Sequence, residues 1–192
     1  MPTGKWFACF SVETDIPLPP RRDGPVIGID VGLQSFATLS NGEKIDNPRF
    51  FRAKEKEVAK IQRRRSKAPK GSFERKRARK VVERVHERIA NCRSDFINKV
   101  SRGLVDRFGL IVFEDLDIWN MIQSHNLAKS ISDVAWGMLV KATQSKAAYA
   151  GSEVVLVDPR NTSQVCSGCG LMVKKDLSER VHNCPKCGLI HG

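Results

Sequence analysis

Four cysteines near the end of the chain have the spacing of a metal site. Cys166 and Cys169 form one CxxC pair, Cys184 and Cys187 form a second, and fourteen residues separate the pairs. Two residues between cysteines let one tight turn direct both sulfurs at one ion, and two such turns complete the tetrahedral four-sulfur shell of structural zinc. We therefore predict that these four cysteines bind Zn²⁺. A pair of disulfides is the alternative.

Two carboxylates, Asp30 and Glu114, each end a short apolar segment. Central strands of one sheet can carry both side chains to the same edge, where paired carboxylates hold Mg²⁺ through oxygen ligands. Two such metals, about 4 Å apart, activate the attacking water and steady the leaving oxygen of a phosphodiester. A turn cap at Asp30 and an exposed strand end at Glu114 are the structural alternatives, and position alone does not decide between them.

The elements that must position these groups follow an α/β order. We predict strands over residues 6–12, 26–30, 36–39, 43–45, 110–114 and 153–157. We predict helices over about 52–66, from Ser72 to a stop at Gly109, and over about 134–150, the last capped by Ser132 or Asp133. This order favours a mixed sheet covered by helices. The stripe of the long helix comprises Ala78, Val81, Val82, Val85, Ile89, Cys92, Phe96, Val100 and Leu104.

The net charge of +12 is concentrated in one part of the chain. Residues 52–88 hold sixteen lysines and arginines against five glutamates, so the remainder is close to neutral. Clustered cations gain affinity for a nucleic-acid backbone by releasing its counterions, whereas a solvated helix face mixes its signs more evenly. The predicted nucleic-acid-binding residues are Arg63, Arg64, Arg65, Lys67, Arg75, Lys76, Arg77, Arg79 and Lys80.

Length and composition limit the class of protein. The 192 residues, 41% of them hydrophobic, suffice for one globular domain plus a zinc ribbon, which is too small to fold without its metal. No signal segment or membrane-length apolar run occurs, so we expect no membrane partner. Cysteines that bind a metal must stay reduced, and the cytoplasm keeps thiols reduced, so we expect a cytoplasmic location. Cys9 and Cys92 are expected to be small buried or partly buried residues.

Six segments of the chain occur in an order typical of one family. They are residues 28–33 (GIDVGL), 47–50 (NPRF), 86–91 (HERIAN), 112–116 (VFEDL), 127–133 (LAKSISD) and 157–164 (VDPRNTSQ), the last leading into the cysteines. Together they closely resemble TnpB, the OrfB-type protein of bacterial insertion sequences and a relative of the type V CRISPR effectors. The resemblance runs from about Lys5 to the end of the chain.

The resemblance implies a fold and an activity. A RuvC-like nuclease domain of RNase H fold would cut DNA that a guide RNA has paired with. It would use Mg²⁺ or Mn²⁺ as its catalytic ion, and no small-molecule substrate is implied. Asp30 and Glu114 fall on the first two catalytic carboxylates, and the four cysteines on the zinc ligands. The implied divisions are a wedge remnant and linker over 1–24, the nuclease domain over 25–160 and the zinc ribbon over 161–192.

The sequence departs from the family pattern at both ends, so we expect a truncated chain. Family members carry a longer N-terminal region, and after the last CxxCG they continue into an Asp-Arg-Asp-x-Asn-Ala segment that holds the third catalytic carboxylate. We therefore expect the chain to be inactive as given. Asp158 also ends a strand, but its position before Pro159 favours a structural turn.

The sequence also allows other functions, and it contains histidines and tryptophans near the proposed sites. A non-catalytic DNA- or RNA-binding module is the alternative function, whereas an actin-like kinase would need two comparable subdomains, for which 192 residues leave no room. His182 and His191 are expected not to bind zinc, because four sulfurs already satisfy it. Trp119 and Trp136 are expected to pack in the core or in grooves.

Overall fold

The computed structural model describes residues 3–13, 15, 17–123, 128–160, 164–174 and 181–191. The chain divides into two compact units. The first comprises Met1–Phe113 and Asp117–Val155, and the second comprises Glu114–Leu116 and Leu156–Gly192. Of the family-like segments, Leu127 and residues 161–163 lie outside the described residues.

A five-stranded mixed sheet confirms the α/β prediction. Its strands are β1 (Val26–Val31), β2 (Ser35–Leu39), β3 (Lys44–Asp46), β4 (Leu110–Glu114) and β5 (Glu153–Val157). The spatial order is β3-β2-β1-β4-β5, with β1 antiparallel to β2 and parallel to β4. Two short strands, β6 (His182–Asn183) and β7 (Ile190–His191), pair antiparallel in a second sheet.

The buried face of the large sheet follows the alternation of its strands. Ile27 and Ile29 on β1, and Ile111 and Phe113 on β4, are all buried. Because successive side chains point to opposite faces, these four residues share one apolar face. Asp30 and Glu114 occupy the opposite phase of the same strands. The hydrophobic core is therefore on the side of the sheet that the carboxylates do not face.

Five helices accompany the strands among the described residues. They are α1 (Phe50–Lys67), α2 (Phe73–Arg107), α3 (Ile118–Gln123), α4 (Ala128–Val134) and α5 (Trp136–Ala150). The predicted start of α2 is confirmed, since the Ser72 hydroxyl accepts a hydrogen bond from the Arg75 backbone N–H at 3.2 Å. None of the described helices combines the length and apolar character needed to cross a bilayer.

The long helix α2 packs against both α1 and α5. Val82, Ile89 and Leu104 of its predicted stripe are buried, whereas Val81 and Cys92 are exposed. Adjacent residues such as Val81 and Val82 point about 100° apart around a helix, so a stripe that includes both is not buried throughout. The expectation that Cys9 and Cys92 are buried is wrong, because both are exposed.

The predicted strand over residues 6–12 is absent. These residues have no regular structure, and Trp6 and Phe10 are 95% and 87% exposed. Alternation indicates a strand only where a neighbouring strand pairs with the backbone, and within the described part of the chain no strand pairs with this segment. In the described part of the chain, the alternation of residues 6–12 therefore does not give a strand.

Asp133 does not cap the helix that follows it. The helical conformation is interrupted between α4 and α5 at Ala135, which adopts a positive φ of 57°. The Asp133 carboxylate instead accepts hydrogen bonds from the backbone N–H groups of Phe51 at 2.9 Å and Arg52 at 3.3 Å. It thus caps the N-terminus of α1, whose own N-cap residue, Arg49, provides no side-chain cap.

A buried ion pair completes this junction of three helices. The Arg93 guanidinium of α2 donates to the Asp133 carboxylate at 3.0 Å and to the Asp133 carbonyl oxygen at 2.9 Å. The side chain of Asp133 is 3% exposed and that of Arg93 is 20% exposed. One carboxylate therefore joins α4 to the start of the basic helix α1 and to α2.

Replacing Asp133 by Ala should destabilise the first unit by about 3 kcal/mol, because Arg93 and two helix N–H groups would lose their buried partner. Urea unfolding followed by circular dichroism measures this loss. Asp95→Ala is the matched control, since Asp95 forms an exposed pair with Lys99 and its loss should cost less than about 1 kcal/mol. Equal effects of the two substitutions would contradict the role assigned to Asp133.

Candidate metal centre and nuclease site

The four predicted cysteines converge on one point. Their sulfur atoms lie within 4.8 Å of one another. The Cys166 and Cys187 sulfurs are 3.5 Å apart, as are those of Cys169 and Cys184. A tetrahedral zinc ion with Zn–S bonds of about 2.3 Å separates its sulfurs by about 3.8 Å. The cluster therefore fits a four-sulfur metal site, and its spacing does not match disulfides, whose S–S bond is about 2.0 Å.

Two equivalent turns hold these sulfurs. The Cys166 N–H donates to the Leu171 carbonyl oxygen at 2.9 Å, and the Gly170 N–H donates to the Cys166 carbonyl oxygen at 2.8 Å. The same two hydrogen bonds recur around Cys184, and Gly170 and Gly188 both have a φ of 71°. Glycine adopts this left-handed conformation without steric cost, so it can close each turn behind its cysteine pair.

The thiols influence one another because they are so close. Backbone N–H groups of Cys187 and Lys186 lower the pKa of the Cys184 thiol to about 6. Although the Leu189 N–H lowers it, the pKa of Cys187 is raised to about 12 by the neighbouring sulfurs of Cys166 and Cys184. Adjacent thiolates repel one another, so a cation between them would stabilise the ionised cluster.

His182 does not join this cluster. In the part of the chain that the structure describes, the group of side chains able to hold a metal comprises only the four cysteines. His182 is 1% exposed and pairs with His191 through the backbones of β6 and β7. Both histidines therefore stabilise the small sheet beside the cysteine turns through their backbones.

Asp30 is the last residue but one of β1, and Glu114 is the last residue of the neighbouring parallel strand β4. Ile29 of β1 lies opposite Phe113 of β4 in the register, and each carboxylate is the next residue along its strand. Asp30 is exposed and Glu114 is half-buried. Asp158, in contrast, accepts a hydrogen bond from the Arg160 backbone N–H at 2.9 Å. This closes a local turn, in keeping with the structural role predicted for Asp158.

The nine predicted nucleic-acid-binding residues separate into two kinds. Arg75 is half-buried and donates to the carbonyl oxygens of Ala68 at 3.1 Å and Arg65 at 3.4 Å, and Arg79 forms an ion pair with Glu83 at 2.7 Å. Of the other seven, Arg65 is half-buried, and the rest project into solvent: Arg63, Arg64, Lys67, Lys76, Arg77 and Lys80.

Lys60 was not among the predicted nucleic-acid-binding residues. Lys60 lines a groove of about 470 Å³ together with Arg63, Arg64 and Lys67. Its spacing from these residues, at steps of three, four and seven, was the available signal, because such positions share one helix face. The tryptophans also differ: Trp136 is 3% exposed and packs in the core, whereas Trp119 is 73% exposed, so the packing expected for it is not observed.

Two protein-family models match consecutive parts of the chain. Residues 9–125 match the OrfB_IS605 family, described as "Probable transposase". The chain belongs to this family. Residues 136–192, which contain all four cysteines, match the Cas12f1-like TNB domain. The predicted TnpB-type identity is thereby confirmed, and the two matched regions follow one another along the chain.

Individual relatives agree with this assignment. A Streptomyces pristinaespiralis protein named "Putative RNA-guided DNA endonuclease" is 40% identical over 190 residues, covering 98% of this chain and 47% of the relative. A protein of Escherichia coli K12 with the same description, InsQ, is 30% identical and is matched over 94% of this chain and 49% of its own length. The chain thus spans about half the length of the curated relatives it matches.

A solved structure shares the fold. The Cas12f1–sgRNA–target DNA complex matches 88% of this chain and 48% of its own chain, with a TM-score of 0.57 and 19% sequence identity. At this identity the likeness concerns the fold alone. The sheet and helices of this TnpB-type chain are therefore arranged as in part of that protein.

Proposed function

We propose that these 192 residues form the nuclease and zinc-binding part of a TnpB-type RNA-guided DNA endonuclease. In this proposal the large sheet belongs to an RNase H-like domain of RuvC type over residues 25–160, and residues 161–192 form the zinc ribbon. DNA and a guide RNA are the proposed partners, supported by the names of the relatives and by the complex that shares the fold.

The observation that carries the proposal is the register of β1 and β4. Ile29 and Phe113 are paired in parallel strands and are both buried, so the residue after each belongs to the opposite face. The family resemblance makes Asp30 and Glu114 the first two catalytic carboxylates. They are therefore proposed to serve one site, since carboxylate oxygens suit a hard divalent cation.

Each group has a definite task in phosphodiester hydrolysis. Mg²⁺ or Mn²⁺, when bound, would supply the Lewis acidity and the activated water that the reaction needs. Asp30 and Glu114 would fix the cation through their carboxylate oxygens. Exposed cations in the second half of α1 and the first turns of α2 would hold the nucleic-acid backbone, since positioning contributes much of the rate in phosphoryl transfer. The cysteines would hold Zn²⁺ as a structural ion.

We further propose that the 192 residues by themselves do not cut DNA. The family resemblance implies three carboxylates, and Asp30 and Glu114 account for two of them. Two carboxylates can hold one cation weakly, but positioning both the attacking and the leaving oxygen takes the full set. The second candidate function, a non-catalytic nucleic-acid-binding module, is favoured by the exposed cations of α1 and α2.

Binding of Mn²⁺ tests the proposed carboxylate pair directly. Asp30→Asn or Glu114→Gln should weaken Mn²⁺ binding roughly tenfold or more, because each removes one of two charged ligands. Calorimetry or electron paramagnetic resonance on the zinc-loaded protein measures the affinity. Asp158→Asn serves as the control and should leave binding unchanged. If Asp30→Asn behaved like that control, the proposed site would be wrong.

A further inference from the structure

The charges of α1 are segregated along its length. In its first half, Arg52 pairs with Glu55 at 3.0 Å and Lys54 pairs with Glu57 at 2.9 Å. From residue 58 to residue 73 the sequence contains six lysines and arginines and no acidic residue. The N-terminal half of the helix is therefore electrically compensated, and the C-terminal half is not.

Four cations of the second half share one face. Lys60, Arg63, Arg64 and Lys67 follow one another at steps of three, one and three residues, and all four are exposed. Such positions form a continuous stripe on a helix, here about 10 Å long at 1.5 Å per residue. Within the described parts of the chain, none of the four forms an ion pair with a carboxylate.

The stripe forms one side of a groove at the tip of the α1–α2 hairpin. Ala68, Pro69 and Glu74 complete the lining of this space of about 470 Å³, which we call the hairpin groove. Four of its seven lining residues are cationic and only Glu74 is acidic. Mutual repulsion in such a cluster is relieved when an anion binds, so the groove has the charge and shape for a polyanion.

These cations are not needed to finish α1. Helix C-termini attract cations because their last carbonyl groups lack partners. Here the Ala68 N–H donates to the Arg64 carbonyl oxygen at 3.3 Å, and Arg75 donates to the carbonyl oxygens of Arg65 and Ala68. Arg75 therefore closes the end of the helix and leaves the side chains of the stripe available.

We propose that the hairpin groove binds the phosphodiester backbone of nucleic acid through Lys60, Arg63, Arg64 and Lys67. At 3.4 Å per phosphate along one strand, a stripe of about 10 Å contacts about three successive phosphates. Arg75 is a positioning residue in this site, since it fixes the loop between the helices. The inference rests on the proposed function for its ligand, but it concerns binding and not cleavage.

Salt-dependent binding of the zinc-loaded 192-residue protein tests the groove. Fluorescence anisotropy with labelled single-stranded DNA, duplex DNA, duplex RNA and an RNA–DNA hybrid gives the affinity at several salt concentrations. Changing Lys60, Arg63, Arg64 and Lys67 together to Gln should weaken binding about 10- to 100-fold at 0.1 M salt. The slope of log K against log salt should fall by about 2 to 3, as expected for the loss of about three phosphate contacts.

A matched variant removes the same charge elsewhere. Lys44, Lys56, Lys141 and Lys174 are exposed, and changing them together to Gln should lower the slope by less than about 1. If both quadruple variants lost affinity equally, the groove would not be a site and net charge alone would explain binding. If the groove variant bound as tightly as the unaltered protein, the proposal would be overturned.

The four labelled nucleic acids show which backbone the groove binds. If the groove variant loses affinity only for RNA or only for DNA, the groove binds that strand. Equal losses of affinity mean that it binds the backbone charge common to both. The groove variant should bind Mn²⁺ as tightly as the unaltered protein, because it keeps Asp30 and Glu114. If the Mn²⁺ test fails while the groove variant still loses nucleic-acid binding, the proposed nuclease site is wrong and this inference stands; the opposite pair of results overturns this inference alone.

Discussion

Replacing Cys184 by Ser should release the metal and unfold the zinc ribbon while the large sheet stays folded. The Cys184 sulfur is buried and lies 3.5 Å from that of Cys169, so no other side chain can take its place without rearrangement. Structural zinc contributes on the order of 10 kcal/mol or more to the folding of such small modules. The effect on this part of the chain should be complete rather than partial.

Elemental analysis measures the loss of the metal, and hydrogen exchange measures the unfolding of the ribbon. The unaltered protein, purified without chelator, should contain about one zinc per chain, and Cys184→Ser should contain none. Exchange protection should disappear over residues 164–174 and 181–191 and persist in Ile27–Ile29 of β1 and Ile111–Phe113 of β4. Cys92→Ser is the control, because Cys92 is exposed and outside the cluster. Unaltered protein without zinc would refute the assignment.

The four-cysteine cluster was predictable because its information is local. Two cysteines separated by two residues specify a turn, and a glycine after each pair specifies how that turn closes. The structure adds that the two turns bring their four sulfurs within 4.8 Å of one another and carry the same hydrogen bonds. Helix positions were predictable for a similar reason, since apolar steps of three and four residues and the cap at Ser72 act within a few residues of one another.

Tertiary pairing set the limit of sequence reasoning. Residues 6–12 alternate as a strand does, yet a strand requires a partner that alternation does not supply. Asp133 shows the same limit. Its position before a helical pattern suggested a cap for α5, but its carboxylate accepts a hydrogen bond from Phe51 of α1, 82 residues earlier in the chain. A capping preference identifies the residue type, while the fold decides which helix it serves.

Charge counting found the basic segment but not the division of labour within it. The sequence treats Arg75 and Arg63 as equivalent cations. The structure separates them, because Arg75 donates to carbonyl oxygens at the end of α1, whereas Arg63 lines the hairpin groove. Which cations remain available to a ligand depends on where the backbone leaves unsatisfied carbonyl groups, and this emerges only once the helices pack.

Cleavage of DNA should be undetectable with the 192 residues alone, in Mg²⁺ or in Mn²⁺. Asp30 and Glu114 are two of the three carboxylates that the family resemblance implies, and one weakly held cation cannot stabilise both the attacking and the leaving oxygen. Asp158 is a poor substitute, because its carboxylate already accepts the Arg160 N–H. Adding an Asp-Arg-Asp-x-Asn-Ala segment after residue 192 should raise Mn²⁺ affinity by supplying the third carboxylate.

The decisive assay incubates single-stranded DNA with the 192-residue protein, with its Asp30→Ala variant and with the extended chain. We expect no product from the first two. Guided cutting by the extended chain would still require the guide RNA and the additional length found in the relatives, so its expected gain is in metal affinity and not in programmed cleavage. Turnover by the 192-residue protein that disappears in Asp30→Ala would show that two carboxylates suffice, and the proposed need for a third would then be wrong.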